Sequence, residues 1–234
     1  MTRIAQLTDL HLASDGSERA AMARRGFEAA VRAVGDHGVD ALVLTGDLLD
    51  DDDPRSAALL ADTVRTLGVP VLCTPGNHDL PRTLQELFGS NRRLDLGPWR
   101  VLAAPTFVPD AIHGEIDPEG VCAELDEAPD RPTVLALHHP PVGTSTNEIF
   151  QLRNGGDLLA GLLVRPWVRA VISGHLHEAF HLRAGHLELL GGPSTYRAMR
   201  HLGDRHDYPA DGLIGARLLD LGRDGRIEST LLST

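Results

Sequence analysis

The chain has 234 residues, a formal net charge of −11 and two cysteines. That length fits one large domain, residues 1–234, and the acidic balance argues against a broad nucleic-acid surface or adhesion to an anionic membrane, both of which need clustered Lys and Arg. Cys73 and Cys122 lack paired spacing, so neither a disulfide framework nor a thiolate zinc site is indicated. The longest wholly apolar run, residues 158–164, is too short to span a bilayer, and a start that already reads as a strand makes the cytoplasm the expected compartment.

In chain order, "RIAQLTD" (3–9) reads as a strand. It is followed by a helix in which Ala20, Ala23, Phe27, Ala30, Val31 and Val34 recur at helical spacing. "ALVLTGD" (41–47) is a buried strand. "PRSAALLADTVRTLG" (54–68) predicts a helix with Asp53 as N-cap, Pro54 at its first position and Gly68 as its stop. "VPVLCTPGNHD" (69–79) is a third strand running into a loop, and this alternation implies parallel pairing with right-handed crossovers. "WRVLAAPTF" (99–107) and "PTVLALHHP" (132–140) are strands flanking an acidic helix at 117–127. After Trp167 come several short strands with Gly-bearing turns, which suggest a second, more antiparallel sheet.

The strand ends carry the chemistry, where ligand crevices form in α/β folds. They present Asp9 and His11; Asp47 and Asp50; Asn77, His78 and Asp79; His138 and His139; and, after "AVIS", His175 and His177. In an extended segment the last two imidazoles would face one place. They could then serve one metal, two metals, or only a loop. Each block alone is ordinary turn material; five in this order form a compound motif for a metal site.

The pattern "DLH" (9–11), "GDLLD" (46–50), "GNHD" (76–79), His138 and "GHLH" (174–177) resembles the calcineurin-like metallophosphoesterases. The resemblance implies a two-sheet αββα sandwich with mixed sheets and flanking helices, and a dinuclear metal centre. Asp9, His11, Asp47 and His177 would hold one ion; Asp47, Asn77, His138 and His175 would hold the other, with Asp47 bridging. Mixed imidazole and oxygen ligation suits Mn, Fe, Zn or Co better than Mg or Ca. A water between two cations gives up a proton near neutral pH and becomes the nucleophile on phosphorus. His78 is left free to protonate the leaving oxygen, with Asp50 orienting it, while Asp79 fixes its own loop.

Among subfamilies the chain looks most like the bacterial class III cyclic-nucleotide phosphodiesterases, through "IAQLTDLHL", "LALHHPPV" and "VRAVISGHLH". That implies hydrolysis of small phosphodiesters, including 3′,5′- or 2′,3′-cAMP. A phosphomonoesterase, a nucleotide-sugar pyrophosphatase and a non-catalytic metal-binding scaffold are the alternatives. The expected partner is a small phosphoester, not a membrane or long nucleic acid, and homodimerisation is left open. Segments 140–157 and 191–212 are long enough to shape a pocket. His139, Asn147, Arg153, Tyr196 and Arg197 are the candidate substrate contacts.

Overall fold

The computed structural model describes residues 1–234, and its first half follows the alternation of short apolar runs and amphipathic helices. Strands β1 (Thr2–Leu7), β2 (Ala41–Thr45) and β3 (Val71–Thr74) pair in parallel. Helices α1 (Glu18–His37) and α2 (Pro54–Arg65) make the crossovers. The Ser17 side chain caps α1 by accepting from the Ala20 N–H, and the helix buries Ala20, Ala23, Phe27, Ala30, Val31 and Val34. Asp53 caps α2 with Pro54 next; the helix stops at Arg65, short of Gly68, whose φ of 66° ends the turn that follows.

Helix α3 (Pro81–Phe88) then leads to β4 (Arg93–Leu96), β5 (Trp99–Ala103), α4 (Pro118–Asp126) and β6 (Thr133–Ala136). Helix α5 (Gly155–Leu163) precedes β7 (Val168–Ser173), β8 (Phe180–Ala184) and β9 (Leu187–Gly191). A small hairpin, β10 (Arg200–Leu202) with β11 (Arg205–Asp207), comes before the C-terminal hairpin β12 (Gly215–Leu221) and β13 (Ile227–Ser233).

The second sheet, ordered β4-β5-β6-β7-β9-β8, corrects the antiparallel expectation. Its interior pairs are parallel and only its two edge pairs run antiparallel. The C-terminal hairpin does not join it: β12 returns to the first sheet and pairs antiparallel with β1. Local alternation identifies a strand but carries no information about which distant strand becomes its neighbour. Helices α1, α2 and α3 cover the outer face of the first sheet, and α4 and α5 cover that of the second. Ile4, Val43, Trp99, Val134, Ile172 and Leu219 fill the layer between sheets. The result is the αββα sandwich, and no helix is long and apolar enough to cross a membrane.

Candidate metal centre

The loops that leave β1, β2 and β7 meet at one end of the sandwich. Seven non-glycine residues have positive φ, and five of them are Asp9, His11, Asp47, His175 and His177. Left-handed backbone at an Asp or His costs energy that the surroundings must offset, and such outliers concentrate at functional sites. Here backbone bonds supply the offset: the Asp9 N–H donates to the Gly46 carbonyl, and those of Leu10 and His11 both donate to the Asp47 carbonyl. Two glycines permit the crowding. A Cβ on Gly76 would collide with the Asp47 carboxylate, and one on Gly174 with the Thr8 hydroxyl.

Asp9, His11, Asp47 and His177 bring ligand atoms within 4.8 Å of one another, and all four are buried. His11 Nε2 lies 3.0 Å from His177 Nε2 and 3.9 Å from Asp47 Oδ2; His177 Nε2 lies 3.5 Å from Asp9 Oδ1. On the other side of Asp47, His138 Nε2 is 3.4 Å from its Oδ1 and 3.2 Å from Asn77 Oδ1. The His175 ring packs 5.0 Å from that of His138. His175 and His177 are therefore not alternate residues of an extended segment: left-handed turns send their rings to different neighbours.

Three of the imidazoles are fixed from behind. His11 Nδ1 contacts Asp50 Oδ1 at 2.7 Å, His138 Nδ1 the Thr45 carbonyl at 2.7 Å, and His177 Nδ1 the Arg197 carbonyl at 2.9 Å. Each anchor sets the tautomer that leaves an Nε2 lone pair facing the cluster. His175 Nε2 is buried with no hydrogen-bond partner.

Burial pushes the Asp9 carboxyl up to about 6, with the neighbouring Asp47 charge adding to it and His138 opposing. Burial would also raise Asp47, but the facing His138, then His11 and His78, hold it well below the usual carboxylate range. Burial would strip His138 of its proton, yet Asp47 and Asp9 raise it to about 9. Burial and the nearby His11 push His177 down to about 3, and burial with the neighbouring histidines lowers His175. Without a cation, a proton on His138 offsets part of the crowded carboxylate charge. An orphaned buried nitrogen, two imidazole nitrogens facing each other and a shared carboxylate fit a pair of metal cations. Excess Mn or Zn added to chelator-treated protein is therefore expected to raise the melting temperature. At a hundred times Kd each site contributes about 2.7 kcal/mol, or about 5–10 °C for a chain of this size. A melting curve unmoved by either metal would count against the centre.

Asp50 lies beside this cluster. Its Oδ1 sits 2.9 Å from His78 Nδ1 as well as against His11, and its Oδ2 pairs with Arg19. Arg19 was not legible as a site residue; its one sequence signal is a cation in the first turn of α1, where the helix dipole disfavours it. Asp79 accepts from the Gly76, Leu48 and Leu49 N–H groups and so fixes its own loop.

A cavity of about 430 Å³ opens over the cluster. Of the five candidate substrate contacts, Tyr196 and Arg197 line it. The other three do not. His139 is fully buried with both ring nitrogens engaged, Nδ1 at Thr106 Oγ1 and Nε2 at the Ile112 carbonyl, and it braces the His138 and His175 rings. The Asn147 side chain accepts from the Ile149 N–H and donates to the Asp204 carbonyl. Arg153 is exposed and pairs with Glu115. Sequence reasoning missed Arg19, Ile112, Phe150, Met199 and Tyr208, which complete the lining. A second cavity, about 310 Å³ around Cys73, Leu84 and Phe107, contains none of the strand-end ligands.

The calcineurin-like phosphoesterase family model matches residues 2–179. A "Probable cyclic nucleotide phosphodiesterase" of Synechococcus sp. is 35% identical, over 97% of this chain and 91% of its own length. The 3′,5′-cyclic adenosine monophosphate phosphodiesterase CpdA of Escherichia coli is 30% identical, over 82% of this chain and 76% of its own. A dimetal phosphatase from Danio rerio superposes with a TM-score of 0.70 at 13% identity, covering 99% of both chains, which shows the shared fold.

Proposed function

The chain belongs to the calcineurin-like phosphoesterases, a family of metal-dependent phosphoric ester hydrolases, and from that premise we propose that it cleaves small phosphodiesters, cyclic nucleotides such as 3′,5′-cAMP among them. Asp9, His11, Asp47 and His177 are assigned to one ion, and Asp47, Asn77, His138 and His175 to the other. When bound, two such ions act as Lewis acids toward phosphoryl oxygens and ease the deprotonation of water near neutral pH. The chain's own part is to hold the ester against them and to move a proton.

His78 performs the proton step. Its Nδ1 is held by Asp50, so its Nε2 is free to serve the leaving oxygen. The hydrogen bond to Asp50 raises the His78 pKa above its ordinary value, which favours the protonated imidazole that the step requires. Arg19 pins the far oxygen of Asp50 and keeps that carboxylate aimed at His78 and His11 together.

The observation that favours a diester is the supply of cations around the cavity. Arg153 is paired with Glu115 and Arg200 with Asp207, both away from the lining, and Arg19 is paired with Asp50. Arg197 is the one lining guanidinium with no carboxylate partner. A diester brings one negative charge, which the ions themselves satisfy, whereas a monoester brings up to two and is served best by additional fixed cations. The named activities of the relatives point the same way.

The test is kcat/KM for 3′,5′-cAMP, a linear diester and the corresponding monoester, all with the same metal. The diesters are expected to lead. A monoester preferred by more than about tenfold, roughly 1.4 kcal/mol of transition-state stabilisation, would make the protein a phosphatase. Absence of any turnover with both metals bound would make it a scaffold.

A further inference from the structure

The chain has only two tyrosines, two tryptophans and five phenylalanines, yet both tyrosines and Phe150 line the single cavity over the metal cluster. Tyr208 leaves 44% of its surface in water, and Ile112, on the same cavity, leaves 47%. Neither exposure is needed for the core. The Arg197 guanidinium lies over the Tyr208 ring, 3.6 Å from its centroid, and has no carboxylate to neutralise it. A guanidinium stacked on an aromatic face is a flat cationic surface with its N–H edge still free to donate.

We infer that the Arg197–Tyr208 stack is the platform for a nucleobase, placing the planar arm of the ester while its phosphate lies against the cluster; the inference rests on the phosphoester reading above. Registration favours this role. The carbonyl of Arg197 accepts from His177 Nδ1, so the residue that orients a proposed metal ligand also carries the stacked guanidinium. The position of the base relative to phosphorus is thereby set through one residue.

The platform is also braced. The His206 ring lies 5.4 Å from both Phe150 and Tyr208, and the loop carrying Phe150 is tied to the β10–β11 hairpin by Thr146 N–H to Gly203 and by Asn147 to Asp204. A polyol arm, such as glycerol, would use hydroxyl partners and gain little from this wall. A base gains stacking area whatever its ring edge presents, and the exposed guanidinium edge is available to its acceptors.

The experiment measures binding by calorimetry to the metal-loaded protein, using the non-hydrolysable phosphonate isosteres of adenosine 5′-phosphate and ribose 5-phosphate. Wild type is expected to bind the base-bearing ligand at least about tenfold tighter. Tyr208→Ala should erase that preference by weakening the base-bearing ligand alone, and Tyr208→Phe, which keeps the ring, should retain it. Because Tyr208 is nearly half exposed and belongs to none of the core clusters, its truncation leaves the core intact. No base preference in wild type, or equal weakening of both ligands by Tyr208→Ala, would overturn the platform. The two readings fail separately: a monoester that outruns diesters in turnover removes the substrate assignment and leaves the base preference to the binding data.

Discussion

Replacing Asp47 is expected to empty both metal sites and to cut phosphodiester turnover by about 10⁴-fold or more, a loss of about 5.5 kcal/mol in transition-state stabilisation. The reason is how its two oxygens are divided. Oδ2 faces His11, and Oδ1 faces His138 while accepting the His78 N–H at 2.9 Å. No other carboxylate reaches both groups of histidines. Alanine would also be strained at a φ of 51°, so Asp47→Asn is the cleaner variant: asparagine tolerates that backbone but offers one oxygen where two ions need two. Metal content measured on protein purified without chelator should be close to two ions per chain in wild type and below one in either variant. Two retained ions with normal turnover in Asp47→Asn would remove Asp47 from the bridging role.

The strand-end blocks were readable because each one is local. A short apolar run, then a glycine, then an Asp, Asn or His is a pattern that the chain itself carries, and Gly46, Gly76 and Gly174 precede Asp47, Asn77 and His175 for steric reasons visible in the crowding around them. His175 and His177 nevertheless depart from the extended geometry that their spacing suggests. Alternation in an extended segment would aim both at one point, whereas left-handed turns aim them apart, a distinction invisible in the letters "HLH". Substrate contacts were harder still. Segments 140–157 and 191–212 do supply Phe150, Tyr196, Arg197, Met199 and Tyr208 to the cavity, but whether a given polar residue faces it depends on what else claims that side chain. His139 is claimed by Thr106 and Ile112, Asn147 by its own loop and Asp204, and Arg153 by Glu115. The same holds for the strands: the period of "GARLLDL" marks a buried strand, and only tertiary pairing places it beside β1.

His78→Ala is expected to keep both ions and lose about 10²–10⁴-fold in turnover of substrates with a poor leaving group. The imidazole is half-exposed at the cavity, while the proposed ligands around it are buried except for the partly exposed Asn77, so its removal leaves the ligand set whole. A nitrophenolate leaves without a proton, so nitrophenyl esters should lose far less. That contrast separates proton donation from binding, because a purely binding role would weaken both substrates equally; an equal loss would end the general-acid assignment. Asp50→Asn should behave differently from a weaker copy of His78→Ala. Its carboxylate serves His11 Nδ1 and His78 Nδ1 from the same oxygen, so its loss should add a leaving-group-independent defect, traceable to a looser His11, to the leaving-group-dependent one. In the double variant the leaving-group-dependent part should not grow beyond that of His78→Ala alone, since Asp50 can orient only an imidazole that is present. A fully additive leaving-group effect would show that Asp50 acts on the departing oxygen without His78, and that its role is more than orientation.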